Sequence, residues 1–528
     1  MALEFVGVDR GQAFLLPPSL TDWLPENHLV WTVLGAVEQM DLDRFTDAYR
    51  LGGAGRAAYD PAMLVALLLY SYARGIRSSR RIERACWEDV AFRVIACQQT
   101  PDHSTIAEFR RRHEFDIAEL FDQVLGLCRE AGLVSVGVIT IDGTKIKANA
   151  SMDQNRDYRQ IALEILREAE ETDRREDEQF GDARGDELPE QLRTAEGRKA
   201  ALAEAKRRIA ERKRQSEEQP SENRPLDDEA AEEKAEEDQA EERGVIDPQP
   251  LVSGHGGRRE WFRAGRRQLE DHRAQQGRPI GRDREDRLFD AAGRLEQNRE
   301  AELTANERYE QWRAQGKMRN GRRLHSNGLK PYVPPELPDG VVNISDPDSR
   351  VMRTQGTPPR QAYNAQAAVN DRQIILAAEV TVDAADFGRL EPMLETTLDG
   401  LRRVGVAEQP DVLLADAGYW HTAQMQAIRD RGIEVLAPPD GNMRDGIRPG
   451  WEGGPYQQMR DTLQTDRGRE LYAQRKTTIE PVFGQIKHNR HIERFMRRGR
   501  SAARSEWRLV AATHNLLKLH NHWIANTA

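Results

Sequence analysis

Two short apolar runs that each lead into an aspartate constrain the fold of this chain more than any other feature. Residues 138–141 are all β-branched, which favours a strand, and the turn dipeptide Asp142-Gly143 is predicted to end it. Residues 412–415 repeat the arrangement and lead into Asp416. A strand end holds a carboxylate rigidly enough to bind a metal, although either aspartate alone could simply begin a turn.

A third carboxylate, Glu480, lies in the segment TTIEPVFGQIKHNR. Pro481 fits comfortably only in the first turn of a helix, so we expect a helix start or a kink at this point. Two aspartates at strand ends and one glutamate opening a helix provide the oxygen ligands that a two-metal phosphoryl-transfer site needs.

The charge of the chain is unevenly distributed. The net charge of −10 argues at first against a nucleic-acid partner. Residues 151–250, however, hold 31 acidic and 18 basic residues, and the remainder holds 57 acidic and 60 basic residues. Because a local positive field matters more for phosphate binding than the total charge, a DNA partner remains compatible with this composition.

Other features of the composition point to a cytoplasmic protein. The three cysteines are far apart and form no CxxC motif, so neither a zinc site nor a disulfide framework is indicated. There is no visible signal peptide, and the longest apolar run is too short to span a bilayer. We therefore expect a soluble protein with no membrane partner.

The first 130 residues are predicted to be helical, with helices at 27–39, 60–73, 79–86, 104–112 and 116–130. The segment 100–113 combines a turn with a short basic helix that carries Arg110, Arg111 and Arg112. This pattern is compatible with a helix-turn-helix DNA-binding module, and equally with an ordinary surface helix that has a charged end.

Composition changes abruptly near residues 151 and 342, which predicts a long charged insertion, largely helical or partly disordered. Residues 227–242 contain ten acidic residues, typical of a solvated helix or a disordered segment. We predict that this acidic block lies off the DNA path. Residues 311–330 are basic and contain no acid, as a nucleic-acid contact or a surface linker would be.

Globular patterning returns after residue 342. Strands are predicted at 363–369, 373–382, 412–416 and 433–437, and helices at 387–404, 422–430 and 470–489. Residues 438–466 are predicted to form a loop, and a pair of basic helices is expected before the C-terminus. Without the insertion, the element order is β, β, β, α, β, α, β, α, which is the order of an RNase H-like α/β fold.

This order predicts a division of the chain. Residues 1–132 would form an all-α N-terminal domain for DNA binding or assembly. Residues 133–150 and 343–500 would form the RNase H-like catalytic domain, interrupted by the insertion at 151–342, and residues 501–528 would form a C-terminal helix. In such a fold the first strand lies at the centre of the sheet and the fourth beside it, so Asp142 and Asp416 become neighbours.

At these residues the sequence resembles the DDE transposases of bacterial insertion sequences, with an InsH-like helical N-terminal domain. The motifs are IDGTKIKANAS, LADAGYW and YAQRKTTIEPVFGQIK. The resemblance implies a Tyr-Arg-Glu-Lys signature, which falls on Tyr472, Arg475, Glu480 and Lys487. The spacing from Arg475 to Glu480 is one residue longer than the commonest form.

The resemblance also implies a mechanism. Asp142, Asp416 and Glu480 would hold two Mg²⁺ ions, for which Mn²⁺ can substitute. The enzyme would cut DNA at the terminal inverted repeats of its element and join the ends to target DNA. It would act as a homodimer on paired ends, near the bacterial nucleoid. A domesticated, non-catalytic DNA-binding protein and an RNase H-like host nuclease are the alternatives.

Several side chains are predicted to contact double-stranded DNA. Trp420 could stack on an unpaired base, or equally could cap the core. The signature residues would contact the DNA near the cut, and basic residues after Lys487 would follow phosphates. The predicted DNA contacts are Tyr472, Arg475, Lys487, Trp420, Arg110, Arg111, Arg112, Arg494, Arg497 and Arg498.

Overall fold

The computed structural model describes residues 19–47, 49, 58–180, 207, 257–276, 283–315, 331–353, 356–441, 447 and 450–527. The predicted acidic block at 227–242 lies outside these residues, as does the basic segment beyond residue 315. No helix of the described ranges combines the length and the apolar character that crossing a membrane requires.

The N-terminal part is helical, as the sequence predicts. Its helices are α1 (Leu29–Glu38), α2 (Asp43–Asp47), α3 (Pro61–Ala73), α4 (Ser79–Glu88), α5 (Val90–Ile95), α6 (His103–Arg112) and α7 (Glu114–Glu130). The start of α3 shows why the prediction works: Asp60 Oδ1 accepts a hydrogen bond from the backbone N–H of Ala62 at 2.9 Å, and Pro61 occupies the first helical position.

The segment between residues 150 and 343 begins and ends in a short antiparallel pair of strands. Strand β2 (Asn155–Asp157) pairs with β3 (Val341–Asn343), so the chain leaves and re-enters the fold at one place. Helices α8 (Tyr158–Phe180), α9 (Arg258–Gln276) and α10 (Arg284–Gln315) lie between these strands. Apolar side chains of α8 and α10 pack together in a small core of their own, because both helices carry an apolar stripe.

The central sheet contains β1 (Val138–Lys147), β4 (Arg350–Met352), β5 (Arg360–Asn370), β6 (Ile375–Thr381), β7 (Val412–Leu414) and β8 (Glu434–Leu436). Strand β1 is central, with β5 antiparallel on one side and β7 parallel on the other. Strands β4 and β6 both pair with β5, and β8 is parallel to β7. The fold is therefore α/β with a mixed sheet, and the fourth predicted strand lies beside the first.

The remaining helices are α11 (Leu390–Arg403), α12 (Thr422–Asp430), α13 (Gly454–Gln464), α14 (Asp466–Gly484) and α15 (Arg500–Thr527), with a π-helix at Gln485–Asn489. Helix α15 packs against α7, α3 and β6. Buried residues of the N-terminal helices, the sheet and α15 consequently form one continuous hydrophobic core. The predicted boundary at residue 132 does not separate two cores, and the division into functional domains stays a prediction.

Three local predictions are wrong. Strand β1 does not end at Asp142-Gly143, because both residues pair with β5 opposite Ala367 and Gln366, and a partner strand overrides the turn tendency. Helix α13 lies inside the predicted loop at 438–466. The C-terminus forms one helix rather than a pair, since it begins only after Gly499, which has a positive φ of 88°.

Candidate active site

The register of the sheet brings the two predicted aspartates together. Thr140 of β1 lies opposite Leu414 of β7 in parallel pairing. Asp142 and Asp416 are each two residues further along their chains, so they leave the paired region at equivalent positions. Neighbouring strands are about 4.8 Å apart, which places the two carboxylates side by side at one edge of the sheet.

The surroundings of these two carboxylates disfavour their charged forms. The pKa of Asp142 is raised to about 6, first by burial and then by the negative charge of Asp416. The pKa of Asp416 is also raised, first by burial and then by the negative charge of Asp386. Two carboxylates that are desolvated and repel each other form a site that a cation would stabilise.

Arg475 connects Glu480 to this pair. The Arg475 Nη1 donates to Asp142 Oδ2 at 2.8 Å, and Arg475 Nη2 lies 3.8 Å from Glu480 Oε1. The Glu480 side chain is 53% exposed and therefore accessible from solvent. In the part of the chain that the structure describes, no three His, Cys, Asp or Glu side chains are grouped closely enough to hold a metal ion. The guanidinium group lies between two of the three predicted ligands.

Glu480 lies well inside a helix, so the prediction that it opens a helix is wrong. Helix α14 continues through Pro481. Proline has no N–H, which frees the carbonyl of Thr477, and the Gln373 side chain satisfies this carbonyl with a hydrogen bond of 2.9 Å. The buried hydroxyl groups of Thr140 and Thr478 are 2.9 Å apart and attach the same helix to β1. These contacts fix the helix that carries Glu480 against β1.

Two other signature residues also lie at this edge. Lys487, in the π-helix, donates a hydrogen bond to the Thr144 hydroxyl, two residues beyond Asp142 on β1. π-helical turns occur frequently at functional sites. Tyr472 packs against the hydrophobic core, and burial raises its pKa while its hydrogen bond with Arg475 opposes that shift. Tyr472 thus combines core packing with a direct contact to the site.

A fourth carboxylate, Asp386, belongs to the site and was missed by sequence reasoning. The side-chain amides of Asn364 and Gln366 each donate to Asp386 Oδ1 at 2.7 Å, and Lys145 Nζ lies 3.5 Å from the same oxygen. A Cβ at Gly143 would come within 2.6 Å of Asp386 Oδ1, so a larger residue there would displace these side chains.

A signal for Asp386 exists in the sequence. Strand β6 runs parallel to β1, because both are antiparallel to β5, and it ends at Thr381. The aspartates that follow it therefore reach the same edge as Asp142 and Asp416. Four residues separate the end of the strand from Asp386, and Asp383, which directly follows the apolar run, pairs instead with Arg267 and Arg389.

Trp420 is in the core rather than at the surface. It is 4% exposed, and its ring stacks on that of Tyr456 with 5.2 Å between centroids. The ring of Trp451 lies 6.0 Å away and completes the cluster. Trp420 therefore caps the core, which was the alternative interpretation of the sequence. Its ring has no exposed face for base stacking in this structure.

The predicted DNA-binding arginines have different surroundings. Arg110 donates to the Arg77 carbonyl at 2.8 Å and to the Tyr72 hydroxyl at 3.2 Å, so it is fixed within the helical core. Others are paired or stacked on neighbouring side chains: Arg111 with Glu108, Arg112 over the ring of Tyr49, and Arg497 with Glu114. Arg494 and Arg498 are exposed at the end of β1.

Comparison with known proteins adds two family matches. Residues 18–112 match the family described as Transposase domain (DUF772), and residues 343–516 match the family described as Transposase DDE domain. The second match includes Asp416 and Glu480 but begins after the segment that separates them from Asp142. No curated protein and no solved structure matches the chain.

Proposed function

The chain is an insertion-sequence transposase of the DDE class, and we propose that Asp142, Asp416 and Glu480 are its catalytic carboxylates. A transposase of this class is a metal-dependent enzyme that cuts DNA and transfers strands, and its catalytic domain has an RNase H-like fold. The observation that carries the assignment is the register of β1 and β7, which places Asp142 beside Asp416. Glu480 is the third member because Arg475 contacts both Glu480 and Asp142.

The side chains at this edge fit a divalent cation. Among the described residues, the four carboxylates of Asp142, Asp386, Asp416 and Glu480 have two contacting cations, Arg475 and Lys145. Hard oxygen ligands are those preferred by Mg²⁺, so we propose two Mg²⁺ ions, with Mn²⁺ as a substitute. When bound, such a pair activates a water or a DNA 3′-hydroxyl group and stabilises the leaving oxygen.

Arg475 has two partners in succession in this proposal. In the free protein the Arg475 guanidinium pairs with Asp142 and so takes the place of a metal ion. For Asp142 and Glu480 to bind metal together, Arg475 turns away from Asp142. A scissile phosphate is the natural new partner, because guanidinium groups bind phosphate through paired hydrogen bonds. Lys487, held beside Thr144, positions the same phosphate as a point charge.

The proposed function also implies the substrate and the oligomeric state. The partner is double-stranded DNA: the terminal inverted repeats of the element and the target into which it inserts. Two copies of the chain would pair two ends, and the reaction would take place on the chromosome in the bacterial cytoplasm. Tyr472 would contact the DNA near the cut, and the exposed Arg111 and Arg112 would add phosphate contacts outside the active site.

The test uses a supercoiled plasmid that carries the candidate inverted repeats found beside the gene. Asp142→Asn, Asp416→Asn and Glu480→Gln should each reduce Mg²⁺-dependent cleavage more than about 100-fold, the largest effect expected from residues that only support ligands. DNA binding should persist in all three. Asp399→Asn, at an exposed carboxylate paired with Arg402, is the matched control and should cleave normally.

Three outcomes separate the alternatives. Near-normal cleavage by any of the three variants would remove that residue from the metal site. Repeat-specific binding without cleavage by the wild type would indicate a domesticated DNA-binding protein. Equal cleavage of plasmids with and without the repeats would indicate a host nuclease.

A further inference from the structure

A cavity of about 420 Å³ lies at the end of β1, and its charged side chains are all cationic. We call it the basic pocket. Among the described residues that line it there is no aspartate or glutamate, and the uncharged lining residues have small, apolar or amide side chains. The residues that line it are Lys147, Ala148, Asn149, Ala150, Ser151, Met152, Gln154, Ser345, Arg360, Gln361, Arg494 and Arg498.

Three segments of the chain converge to build this pocket. The backbone N–H of Lys147 donates to the Glu493 carbonyl at 3.0 Å, and the N–H of Phe495 donates to the Lys147 carbonyl at 2.8 Å. These bonds hold Arg494 along the last residue of β1. The N–H of Ala148 donates to the Gln361 carbonyl at 2.9 Å, which brings Arg360 to the same place. The cations are therefore positioned by backbone contacts rather than by attraction to an acid.

The cations of the basic pocket have no acidic ion-pair partner among the described residues. Elsewhere in the described chain arginines commonly pair with carboxylates, as Arg500 does with Asp271. Among the described residues, Lys147, Arg360, Arg494 and Arg498 form no ion pair with a carboxylate, and Arg498 donates only to the Asn149 carbonyl at 3.1 Å. Like charges held together without neutralisation produce a local positive field that attracts anions.

Further cations connect the basic pocket with the active site. Lys487 contacts Thr144, and its pKa is lowered by burial and then by the positive charges of Arg360 and Lys145, while the negative charge of Glu493 opposes this shift. Lys487 thus lies between the carboxylates and the pocket. From Asp142 to Lys147 is five residues along β1, about 16 Å at the rise of a strand. A polyanion that reaches the carboxylates can follow this row of cations.

We propose that the basic pocket binds backbone phosphate of the DNA that is cut in the active site. The contact lies about 16 Å from the scissile phosphate, a span of at most about five base pairs at a rise of 3.4 Å per step along the duplex axis. This assignment rests on the proposed function, because it takes the carboxylate edge as the place of cleavage. The pocket anchors the strand away from the reacting phosphate and so fixes which phosphate reaches the carboxylates.

The first experiment measures the salt dependence of DNA binding in an Asp142→Asn background. Arg360→Gln combined with Arg494→Gln should lower the slope of log affinity against log salt by about 1.8, because each lost phosphate contact accounts for about 0.9. The matched control combines Arg402→Gln with Arg431→Gln, which removes two exposed, acid-paired arginines. It should leave the slope unchanged, and thermal unfolding should confirm that both double variants are folded.

The second experiment locates the contact with neutral methylphosphonate linkages, placed one at a time along a duplex containing the cut site. Wild-type affinity should fall for linkages at a position within about five base pairs of the cut, and the double variant should be insensitive to them.

An unchanged slope, or an equal loss in the control, would overturn the proposal. If these substitutions abolished the binding of inorganic phosphate but left DNA binding unchanged, the pocket would be a small-anion site. This result would also overturn the proposal. The binding experiments do not depend on cleavage. A wrong carboxylate assignment would therefore be seen separately, because Asp142→Asn would still cleave DNA.

Discussion

Negative charge is concentrated around the middle of β1 and positive charge around its end, and the two groups stay separate instead of neutralising each other. Within the described residues, the carboxylates around Asp142 and Asp416 outnumber the contacting cations, whereas the cations that line the pocket at Lys147 form no ion pair with a carboxylate. A fold built for stability alone would interleave these charges, as it does in the pair of Arg500 with Asp271. Their separation along one strand is explained by ligands: divalent metal at one place and DNA phosphate at the other.

Apart from the three proposed catalytic carboxylates, the largest effect is expected at Asp386. Asp386→Asn removes one negative charge from the carboxylate-rich edge but keeps the shape of the side chain. We expect metal affinity or cleavage to fall about 10–100-fold, the range for residues that support metal ligands. Calorimetric titration with Mn²⁺ and cleavage at increasing metal concentration would measure both effects.

Asp399→Asn again serves as the control for Asp386→Asn, because Asp399 is exposed and pairs with Arg402. If excess metal restored cleavage by Asp386→Asn, Asp386 would act on metal affinity. If cleavage stayed normal at limiting metal, Asp386 would have no part in the site, and the charge contrast along β1 would be weaker than described.

A smaller effect of opposite sign is expected at Arg475. Arg475→Gln removes the cation that pairs with Asp142 in the free protein. Without this competitor, metal should bind about tenfold more tightly, since a hydrogen bond to a charged group contributes about 1.5 kcal/mol at the low end of its range. Cleavage should nevertheless decrease, because the phosphate loses its guanidinium partner. Lys476→Gln, one residue along α14, provides the neighbouring control.

Calorimetric titration of metal into the metal-free wild type and Arg475→Gln distinguishes these effects. Tighter metal binding together with slower cleavage supports successive partners for Arg475. Weaker metal binding would show instead that Arg475 orients Asp142 for the metal, and the proposed exchange of partners would then be wrong.

The sequence was sufficient to predict those parts of the site that depend on local pattern and strand order. Asp142 and Asp416 follow apolar runs, and strand order alone makes them neighbours. The helices of the N-terminal part were predicted for a similar reason, because caps such as Asp60 and Pro61 act within one turn. Asp386 was missed because its position depends on amide donors from β5, which no local pattern contains.

Side-chain partners from distant parts of the chain account for the other differences. Arg110 has the composition of a DNA contact, but its partners Tyr72 and Arg77 lie in another helix and in a loop. Trp420 is buried by Tyr456, which comes from α13 in a segment predicted to be a loop. Pro481 remains inside a helix because Gln373, more than a hundred residues earlier, satisfies the carbonyl that it frees.

The most direct test of the account is to locate bound Mn²⁺ by anomalous diffraction from crystals of the protein with duplex DNA. The account predicts a peak shared by the carboxylates of Asp142 and Asp416, at about 2.0–2.6 Å from their oxygens, the range for hard cations. Arg475 should then be turned away from Asp142. A cleavage-competent complex with Mn²⁺ bound elsewhere, or with Arg475 still paired to Asp142, would contradict it.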